Sequence, residues 1–305
     1  MHGILLIDKS PGMTSHDVVR RLRRLLGTRR VGHTGTLDPM ATGVLPVAVG
    51  EGTRLVEFLM EGDKEYLATL RLGMTTTTQD AEGDLLDERP WQEVDSVALE
   101  KAVADLRGAI LQLPPMYSAL KRNGVPLHRL ARQGVEVERE PRPVTIFRLD
   151  ILRVDLPLVE IAVTCSKGTY VRTLAYDLGE ALGCGAHLTA LRRTRSGPFA
   201  VADCLTLDAL DGWPADRPLP LLGPRAALPG LAVVRVEPGA AARLANGIPP
   251  SAAECGRGAG LENGDRVLFE VAGKVAAIAR YAPLREREKR GDFELLRVFS
   301  HPEIW

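Results

Sequence analysis

Five prolines lie close together between Trp213 and Gly230, and they constrain the fold more than any other stretch of the chain. Because proline lacks a backbone N–H and fixes φ, no long helix or central strand can run through this segment. Such a stretch is typical of a linker between compact units. With 305 residues and 45% hydrophobic side chains, the chain can form one large core and one smaller core. We therefore predict two domains, at residues 1–212 and 231–305, with a linker at residues 213–230.

The spacing of apolar residues predicts strands and helices on both sides of the linker. Before it, strands are predicted at residues 4–7, 44–49, 66–72, 144–151 and 159–165. Helices are predicted to follow Ser15, Ser96 and Thr169, with the two serines acting as N-caps. After the linker, a short helix at residues 240–246 precedes strands at residues 266–271, 275–281 and 293–299. This order indicates a small β-rich domain behind a larger domain that contains both helices and strands.

One carboxylate stands inside a loop of turn-forming residues, GHTGTLDPMATG at positions 32–43. Its three glycines can adopt backbone conformations that other residues avoid, and Pro39 biases Asp38 toward an extended conformation. A loop of this kind can hold a side chain outward at a fixed angle. Asp38 is therefore a candidate catalytic carboxylate, although an aspartate before a proline is also a common turn former.

Basic and acidic residues balance at 39 each, so any binding of nucleic acid must depend on local clusters rather than on net charge. Arginines cluster at residues 20–30 and again at residues 192–195, and for both groups a solvated surface is an equally good interpretation. The segment at residues 112–142 combines several basic side chains with many prolines and glycines. This composition predicts a protruding basic arm.

The sequence favours a cytoplasmic protein without a structural metal. Four cysteines without paired spacing, at positions 165, 184, 204 and 255, indicate a reducing compartment. The first residues do not resemble a signal peptide, and no apolar run approaches the roughly 20 residues that a membrane-spanning helix needs. Cys184 with His187 is the nearest approach to a metal-binding pattern, and ordinary packing explains such a pair far more often.

Lys167 and Arg172 flank the start of a predicted helix, where the helix dipole disfavours positive charge. An RNA phosphate, a surface salt bridge or a carboxylate such as Asp38 could compensate them. Beside a guanidinium, Asp38 would have a lowered pKa and would stay ionised as a nucleophile. Its loop offers no second carboxylic acid to protonate a leaving group, which disfavours glycoside hydrolysis. An isomerisation, in which the leaving base stays bound, fits better.

The Asp38 loop resembles the catalytic motif of the TruB family, the bacterial tRNA pseudouridine-55 synthases. Further blocks resemble this family in the same order: LIDK at residues 6–9, KEY at 64–66, PPMYSALK at 114–121 and CSKGTYVRT at 165–173. The resemblance covers nearly the whole chain, and the tail after the linker resembles a PUA domain, a small RNA-binding β-barrel. It implies an α+β pseudouridine synthase fold with a mixed, mostly antiparallel sheet.

This resemblance also implies a function and a set of site residues. The protein would act on tRNA as a monomer, without a cofactor, a guide RNA or a protein partner, and would convert uridine 55 in the T arm to pseudouridine. Asp38 would attack C1′ of a flipped uridine, Tyr66 would stack on the base and could take the final proton, and Arg172 would pair with Asp38. The residues expected to contact the substrate, line its pocket or support the loop are His33, Lys9, Asp80, Lys167 and Leu191.

Two alternatives stay open at this point. A guide-RNA-dependent synthase of the archaeal and eukaryotic type would need partner proteins, whereas the long basic arm favours an enzyme that acts alone. A tRNA-folding chaperone, in which catalysis is secondary, would use the same binding surfaces. The chain also departs from the family pattern at Ser10-Pro11, after Lys9, and at Thr77, where aspartate is common. These departures leave details of RNA contact open.

Overall fold

A computed structural model describes residues 1–214, 216–256, 260–284 and 291–299. The helices formed by these residues are α1 (Ser15–Leu25), α2 (Val56–Leu59), α3 (Ser96–Asp105), α4 (Leu127–Arg132), α5 (Val171–Ala181), α6 (Leu207–Asp211), α7 (Pro224–Ala227) and α8 (Pro238–Ala245). The strands of the larger region are β1 (Gly3–Lys9), β2 (Val31–His33), β3 (Thr42–Val49), β4 (Lys64–Leu72), β5 (Met74–Thr76), β6 (Leu85–Glu88), β7 (Gly108–Gln112), β8 (Lys121–Arg122), β9 (Val125–Pro126), β10 (Arg142–Asp155), β11 (Leu158–Cys165), β12 (Ala186–Ser196) and β13 (Phe199–Ala200). The strands that follow are β14 (Ala232–Val236), β15 (Cys255–Gly256), β16 (Arg266–Val271), β17 (Lys274–Tyr281) and β18 (Phe293–Val298).

Nine strands of the larger region form one mixed sheet. Its central order is β1-β3-β12-β4-β11-β10-β7, with β2 added beside β3 and β13 beside β12. Strands β3 and β12 run parallel, and the other pairs of this sheet are antiparallel. The predicted mixed, mostly antiparallel sheet is therefore confirmed. Antiparallel neighbours need only short turns, whereas the parallel pair joins segments that are far apart in the chain.

One apolar core holds α1, α3, α5 and α6 against this sheet. Along β4 the side chains alternate, so that Tyr66 and Ala68 are buried while Leu67 is exposed. The buried set packs with Val103 of α3 and Leu174 of α5, among other residues. The period of two in the strand and the helical spacing in α3 and α5 are both consequences of covering one apolar face.

The two helices predicted to be capped by serine are capped by the preceding residue instead. At α1, Thr14 is the N-cap: its hydroxyl accepts a hydrogen bond from the backbone N–H of Asp17 at 3.1 Å, and the Asp17 carboxylate accepts one from the N–H of Thr14 at 3.0 Å. At α3, Asp95 accepts from the N–H of Ala98 at 2.7 Å. The reciprocal or charged cap is stronger than a lone serine hydroxyl. Ser15 is thereby left free to bond elsewhere.

The proline-rich segment at residues 213–230 packs on the larger region instead of extending away from it. The backbone groups of Ile4 and Leu222 exchange two hydrogen bonds, each 2.9 Å long, which places the segment beside β1. The segment also contains α7, which begins with proline, as the first turn of a helix permits. Ala215 lies outside the described residues. The prolines exclude a long regular element here, but they do not make the segment a free tether.

The C-terminal region forms a second sheet of five strands, in the order β15-β14-β16-β17-β18. The strands predicted from the sequence agree with β16, β17 and β18 to within one residue at each end. Within the described residues no pairing joins the edge strands β15 and β18, so closure of the predicted barrel stays a prediction. Residues 257–259, 285–290 and 300–305 of the predicted domain at residues 231–305 lie outside the described part.

Besides the core of each region, a third apolar cluster joins them. It brings Leu6 and Leu55 of the larger region together with Leu268 and Ile278 of the C-terminal sheet. The guanidinium of Arg54 also donates to the carbonyl of Val298 at 2.8 Å. Shared apolar burial of this kind opposes free movement of one region relative to the other. No helix in the described ranges is long and apolar enough to cross a membrane.

Candidate active site

The loop between β2 and β3 brings Asp38 next to Arg172 at the start of α5, although 134 residues separate the two in the chain. The Nε atom of Arg172 lies 2.9 Å from one carboxylate oxygen of Asp38, and Nη2 donates to the other at 3.2 Å. The side chain of Arg172 is 4% exposed and that of Asp38 is 31% exposed. The predicted pair is thus present, with the arginine buried and the carboxylate partly accessible.

Arg172 is also held by three other groups. Its guanidinium donates to the carbonyl of Thr78 at 2.9 Å and to the carbonyl of Tyr117 at 2.8 Å. Nη1 lies 3.5 Å from a carboxylate oxygen of Asp80. Thr78 and Asp80 lie in one loop and Tyr117 in another, so the guanidinium has little freedom to turn away from Asp38.

Asp80, one of the residues expected to contact the substrate or support its site, is buried beside Arg172. Its residue is 2% exposed, and its carboxylate accepts hydrogen bonds from the hydroxyl of Thr78 and from the N–H of Glu82. This placement suits a group that holds Arg172 rather than one that contacts a substrate. The Asp38 loop contains no second carboxylic acid, and folding brings Asp80 from another segment to the same arginine. The loop sequence could not reveal Asp80, which approaches from another part of the chain.

The pKa of Asp38 differs in direction from the prediction. Burial raises the pKa of Asp38 above its ordinary value, and Asp80 raises it further, while Arg172 and Lys9 lower it. The partly exposed side chain still lies among groups that displace most of the surrounding water. Loss of hydration disfavours the charged form more than the guanidinium favours it. A carboxylate with a raised pKa is more basic, and therefore a better nucleophile once it is ionised.

Lys9 supports the loop, as predicted. It is fully buried at the end of β1, and its ammonium donates to the carbonyls of Ser10, Met13 and Pro39 at 3.0, 2.7 and 3.1 Å. Burial lowers the pKa of Lys9 to about 8, with Asp38 opposing the shift. The bond to Pro39 connects Lys9 to the residue after Asp38.

Tyr66 and Leu191 lie on adjacent strands of the main sheet. Tyr66 is in β4 and Leu191 is in β12, where it pairs with Ala68, and both side chains belong to the core. Burial raises the pKa of Tyr66, so its phenol is protonated at neutral pH. This favours stacking over proton acceptance as the role of Tyr66.

His33 ends β2 and is half-buried, with its Nδ1 atom making no hydrogen bond to the described residues. Burial and the nearby Arg193 lower the pKa of His33, so the imidazole is neutral at neutral pH. Lys167 lies elsewhere: its ammonium is 2.7 Å from the carboxylate of Glu61, and both side chains are well exposed. The charge of Lys167 is therefore compensated by a surface ion pair and not by Asp38.

The predicted arm at residues 112–142 contains the short strands β8 and β9 and helix α4. Its start is fixed to the beginning of α5, because the side-chain amide of Gln112 accepts from the N–H of Tyr170 at 2.8 Å and donates to the carbonyl of the same residue at 3.0 Å. The carbonyl of Tyr117 bonds Arg172, as described above. The arm thus begins directly beside the Asp38 pair.

The arginines at residues 192–195 do not form the uniform basic patch that the sequence allows. Arg192 pairs with Asp8 at 2.8 Å and Arg195 with Glu65 at 2.7 Å. Arg193, between them, is buried. The alternation of β12 places Arg193 on the same buried side as Leu191, and this periodicity was the one signal that the sequence offered.

Comparison with known proteins agrees with this geometry. A model for the N-terminal domain of TruB family pseudouridylate synthases matches residues 23–171, and one for the tRNA pseudouridylate synthase B C-terminal domain matches residues 172–217. The tRNA pseudouridine synthase B of Syntrophotalea carbinolica is 52% identical over 301 residues, which cover 98% of each chain. This chain belongs to the TruB family. A second TruB relative of the same name, from Geobacter sulfurreducens, is 46% identical over 98% of this chain and 100% of its own length.

Solved structures extend the comparison to the fold. An H/ACA RNP bound to a substrate RNA containing 2′-deoxyuridine includes a chain with a TM-score of 0.72 and 27% identity, and the match covers 99% of this chain and 88% of that one. A Cbf5-Nop10-Gar1 complex includes one with a TM-score of 0.73 and 29% identity, covering 99% and 86%. The predicted TruB family membership, pseudouridine synthase fold and isomerase class are confirmed.

Proposed function

We propose that this TruB family member converts uridine 55 in the T arm of tRNA to pseudouridine, and that it does so alone. The observation that carries the proposal is the Asp38–Arg172 pair, which presents one partly exposed carboxylate from a loop whose backbone is held by buried groups. The relatives named tRNA pseudouridine synthase B support tRNA as the substrate.

The proposed reaction begins with attack of the Asp38 carboxylate at C1′ of a flipped uridine. The bond between C1′ and N1 breaks, and uracil departs as a delocalised anion that stays in the pocket. After the base has rotated, C5 bonds to C1′ while the bond between C1′ and the Asp38 oxygen breaks, which regenerates the carboxylate. C5 then loses its proton and N1 gains one. An isomerisation is redox neutral, so the proposal requires no cofactor.

The surrounding residues receive supporting roles in this proposal. Tyr66 stacks on the uracil, Leu191 lines the apolar wall beside it, and neutral His33 fills the gap that the flipped nucleotide leaves in the RNA stack. Lys9 holds the loop through the carbonyl of Pro39. Arg172 and Asp80 orient the nucleophile without contacting the uridine. Lys167 contacts an RNA phosphate, which replaces Glu61 as its ion-pair partner.

Binding of the tRNA is proposed to use the arm at residues 112–142 together with the C-terminal unit. Lys121, Arg129 and Arg132 are exposed on the arm, and they form no ion pair with any described residue. Such side chains suit contacts with phosphates of the T arm. We propose a catalytic domain at residues 1–212 and a PUA-like domain at residues 231–305, in a monomeric protein of the cytoplasm.

A guide-RNA-dependent synthase is the second candidate, because the two structural relatives described above were solved as multicomponent assemblies. The higher identity to relatives named tRNA pseudouridine synthase B, 52% and 46% against 27–29%, favours action on tRNA without partners. A tRNA-folding activity is compatible with the same binding surfaces, and Asp38→Asn separates the two: rescue of misfolded tRNA would persist in that variant while isomerisation would stop.

The proposal is tested by incubating the purified chain with an unmodified tRNA transcript, without added metal or cofactor, and mapping pseudouridine at single-nucleotide resolution. A single new pseudouridine at position 55, absent with Asp38→Asn, is the expected result. Modification at another position would overturn the assigned target. Tight tRNA binding without any pseudouridine would favour the partner-dependent candidate.

A further inference from the structure

Arg193 is one of the largest fully buried side chains among the described residues, with 1% of its surface exposed. It lies in β12, where the backbone is paired with β3 on one side and β4 on the other. Its Nε donates to the carbonyl of Val44 at 2.7 Å. The end of the guanidinium reaches the loop that carries Asp38, where Nη2 donates to Gly35 at 3.1 Å and Nη1 to Thr36 at 3.4 Å.

This guanidinium differs from its neighbours in having no carboxylate partner among the described residues. Arg192 and Arg195, on either side, each form an ion pair at the surface. Removing an arginine charge from water is costly, and here neutral groups compensate it, namely three backbone carbonyls and the phenol of Tyr66. If the position served packing alone, an apolar residue would cost less free energy to bury. The arrangement indicates that the role of Arg193 is to donate hydrogen bonds to the three carbonyls.

The loop is held from its other side by two more buried polar side chains. The hydroxyl of Ser15 donates to the carbonyl of Leu37 at 3.0 Å and accepts from its N–H at 2.8 Å. Lys9 donates to the carbonyl of Pro39. With Gly35 and Thr36 bonded to Arg193, four of the five carbonyls from residue 35 to residue 39 accept a bond from a buried side chain. The fifth, that of Asp38, accepts from the N–H of Ala41 at 3.1 Å.

Close approach of the backbones leaves little space for the loop to move relative to Arg193. A Cβ atom at Gly43, whose φ is +101°, would lie 2.1 Å from the carbonyl oxygen of Arg193. The position therefore admits only glycine, and β3 can lie directly against β12 where the Asp38 loop ends. Arg193 therefore contacts both ends of the loop. Its side chain bonds to Gly35 and Thr36, and its backbone lies against Gly43.

We propose that Arg193 is a positioning residue for the isomerisation, and this inference rests on the proposed function. Its guanidinium fixes the carbonyls of Gly35 and Thr36, so that Asp38 faces Arg172 and the sugar carbon at one angle. Arg193 is buried and touches no substrate, so it acts through the loop and through the Tyr66 phenol beside it. A misplaced nucleophile slows the chemical step, whereas tRNA is held by other surfaces and keeps its affinity.

The test compares Arg193→Met, which removes the donors at similar length, with Arg193→Lys and with Ser15→Ala. Single-turnover rates and tRNA dissociation constants are measured on a tRNA transcript at a temperature where circular dichroism shows each variant to be folded. Val103→Ala, in the core at α3, is the matched control for lost stability, because α3 packs on β10 and α5. The wild-type rate, measured alongside, tests the proposed function itself.

Arg193→Met is expected to lower the single-turnover rate by about 100-fold with the dissociation constant within about 3-fold of wild type. Arg193→Lys should recover part of the rate, and Val103→Ala should retain all of it.

A wild-type rate in Arg193→Met, or an equal loss in Val103→Ala, would overturn the inference while leaving the proposed function intact. If Arg193→Met does not fold, Ser15→Ala decides: a slowed rate with unchanged affinity supports loop positioning, and an unchanged rate refutes it. An inactive wild-type chain would refute both proposals.

Discussion

The surroundings of Asp38 and the arm at residues 112–142 both depend on arginine, but they hold it in opposite ways. Around Asp38, Arg172 and Arg193 are buried, and each makes several hydrogen bonds to groups from distant parts of the chain. On the arm, Arg129 and Arg132 are exposed. Buried guanidinium groups lose their hydration and must be matched by fixed partners, whereas exposed ones stay hydrated and mobile.

Buried and exposed arginines suit two different tasks, catalysis and binding. A reaction at one carbon atom requires a nucleophile at a defined angle, which only a fully bonded, buried network provides. Binding of a polyanion requires positive charge near many phosphates and tolerates loose geometry, so solvent-exposed side chains suffice. Substitutions near Asp38 should therefore change rates, and substitutions on the arm should change affinity and its dependence on salt.

The largest effect is expected for Asp38→Asn, because the amide cannot act as a nucleophile. Turnover should fall by at least about 10⁴-fold while tRNA affinity stays within a few fold of wild type. Single-turnover assays and filter binding on the same tRNA transcript measure both quantities. Substantial turnover in this variant would show that Asp38 is not the nucleophile. It would also remove the basis for contrasting a catalytic region around Asp38 with a binding region on the arm.

Arg172→Lys tests whether the hydrogen-bonding geometry of the buried guanidinium contributes to the rate in addition to its charge. Lysine keeps the positive charge but cannot bond Asp38, Thr78 and Tyr117 together, so we expect a rate loss of about 100-fold at unchanged affinity. Arg153→Lys, at an exposed ion pair with Asp155, is the matched substitution and should leave the rate unchanged. A fall in affinity that matches the fall in rate would show that Arg172 serves binding instead.

The pH dependence of the rate tests the raised pKa of Asp38. The nucleophile must be ionised, so the rate should fall as pH falls through that pKa, and this acidic limb should lie above the ordinary value for aspartate. Asp80→Asn removes a negative charge that raises the pKa of Asp38, so the limb should move to lower pH. The maximal rate should drop by about 10-fold because Arg172 is held less firmly. A limb that moves to higher pH in Asp80→Asn would contradict this electrostatic account.

The smallest effect is expected on the arm. Changing Arg129 and Arg132 together to glutamine should weaken tRNA binding by about 3-fold to 10-fold and reduce the slope of affinity against salt by about one per arginine. Rates at saturating tRNA should not change. Glu136→Gln is the control, since it removes an exposed negative charge from the same arm. A loss of saturating rate in the double variant would mean that the arm also orders the active site, through Tyr117 and Arg172.

Local sequence patterns predicted many elements well. The strand predicted at residues 266–271 matches β16 at both ends, and the helical spacing after Thr169 corresponds to α5. The N-caps of α1 and α3 were each placed one residue late, because the competing caps at Thr14 and Asp95 stand directly beside the serines. Boundaries depend on which of several adjacent polar side chains wins a hydrogen bond, and spacing alone does not decide that.

The sequence by itself determined the family, through motifs in a fixed order, and it identified Asp38 as the carboxylate in a glycine-rich loop. Only the tertiary structure decided that Asp80 shares Arg172, that burial raises the pKa of Asp38, and that Arg193 turns inward while its neighbours stay at the surface. A motif and a period are properties of neighbouring residues along the chain. Hydration, ion pairing and the direction of a long side chain depend on groups that folding brings together from distant parts of the chain.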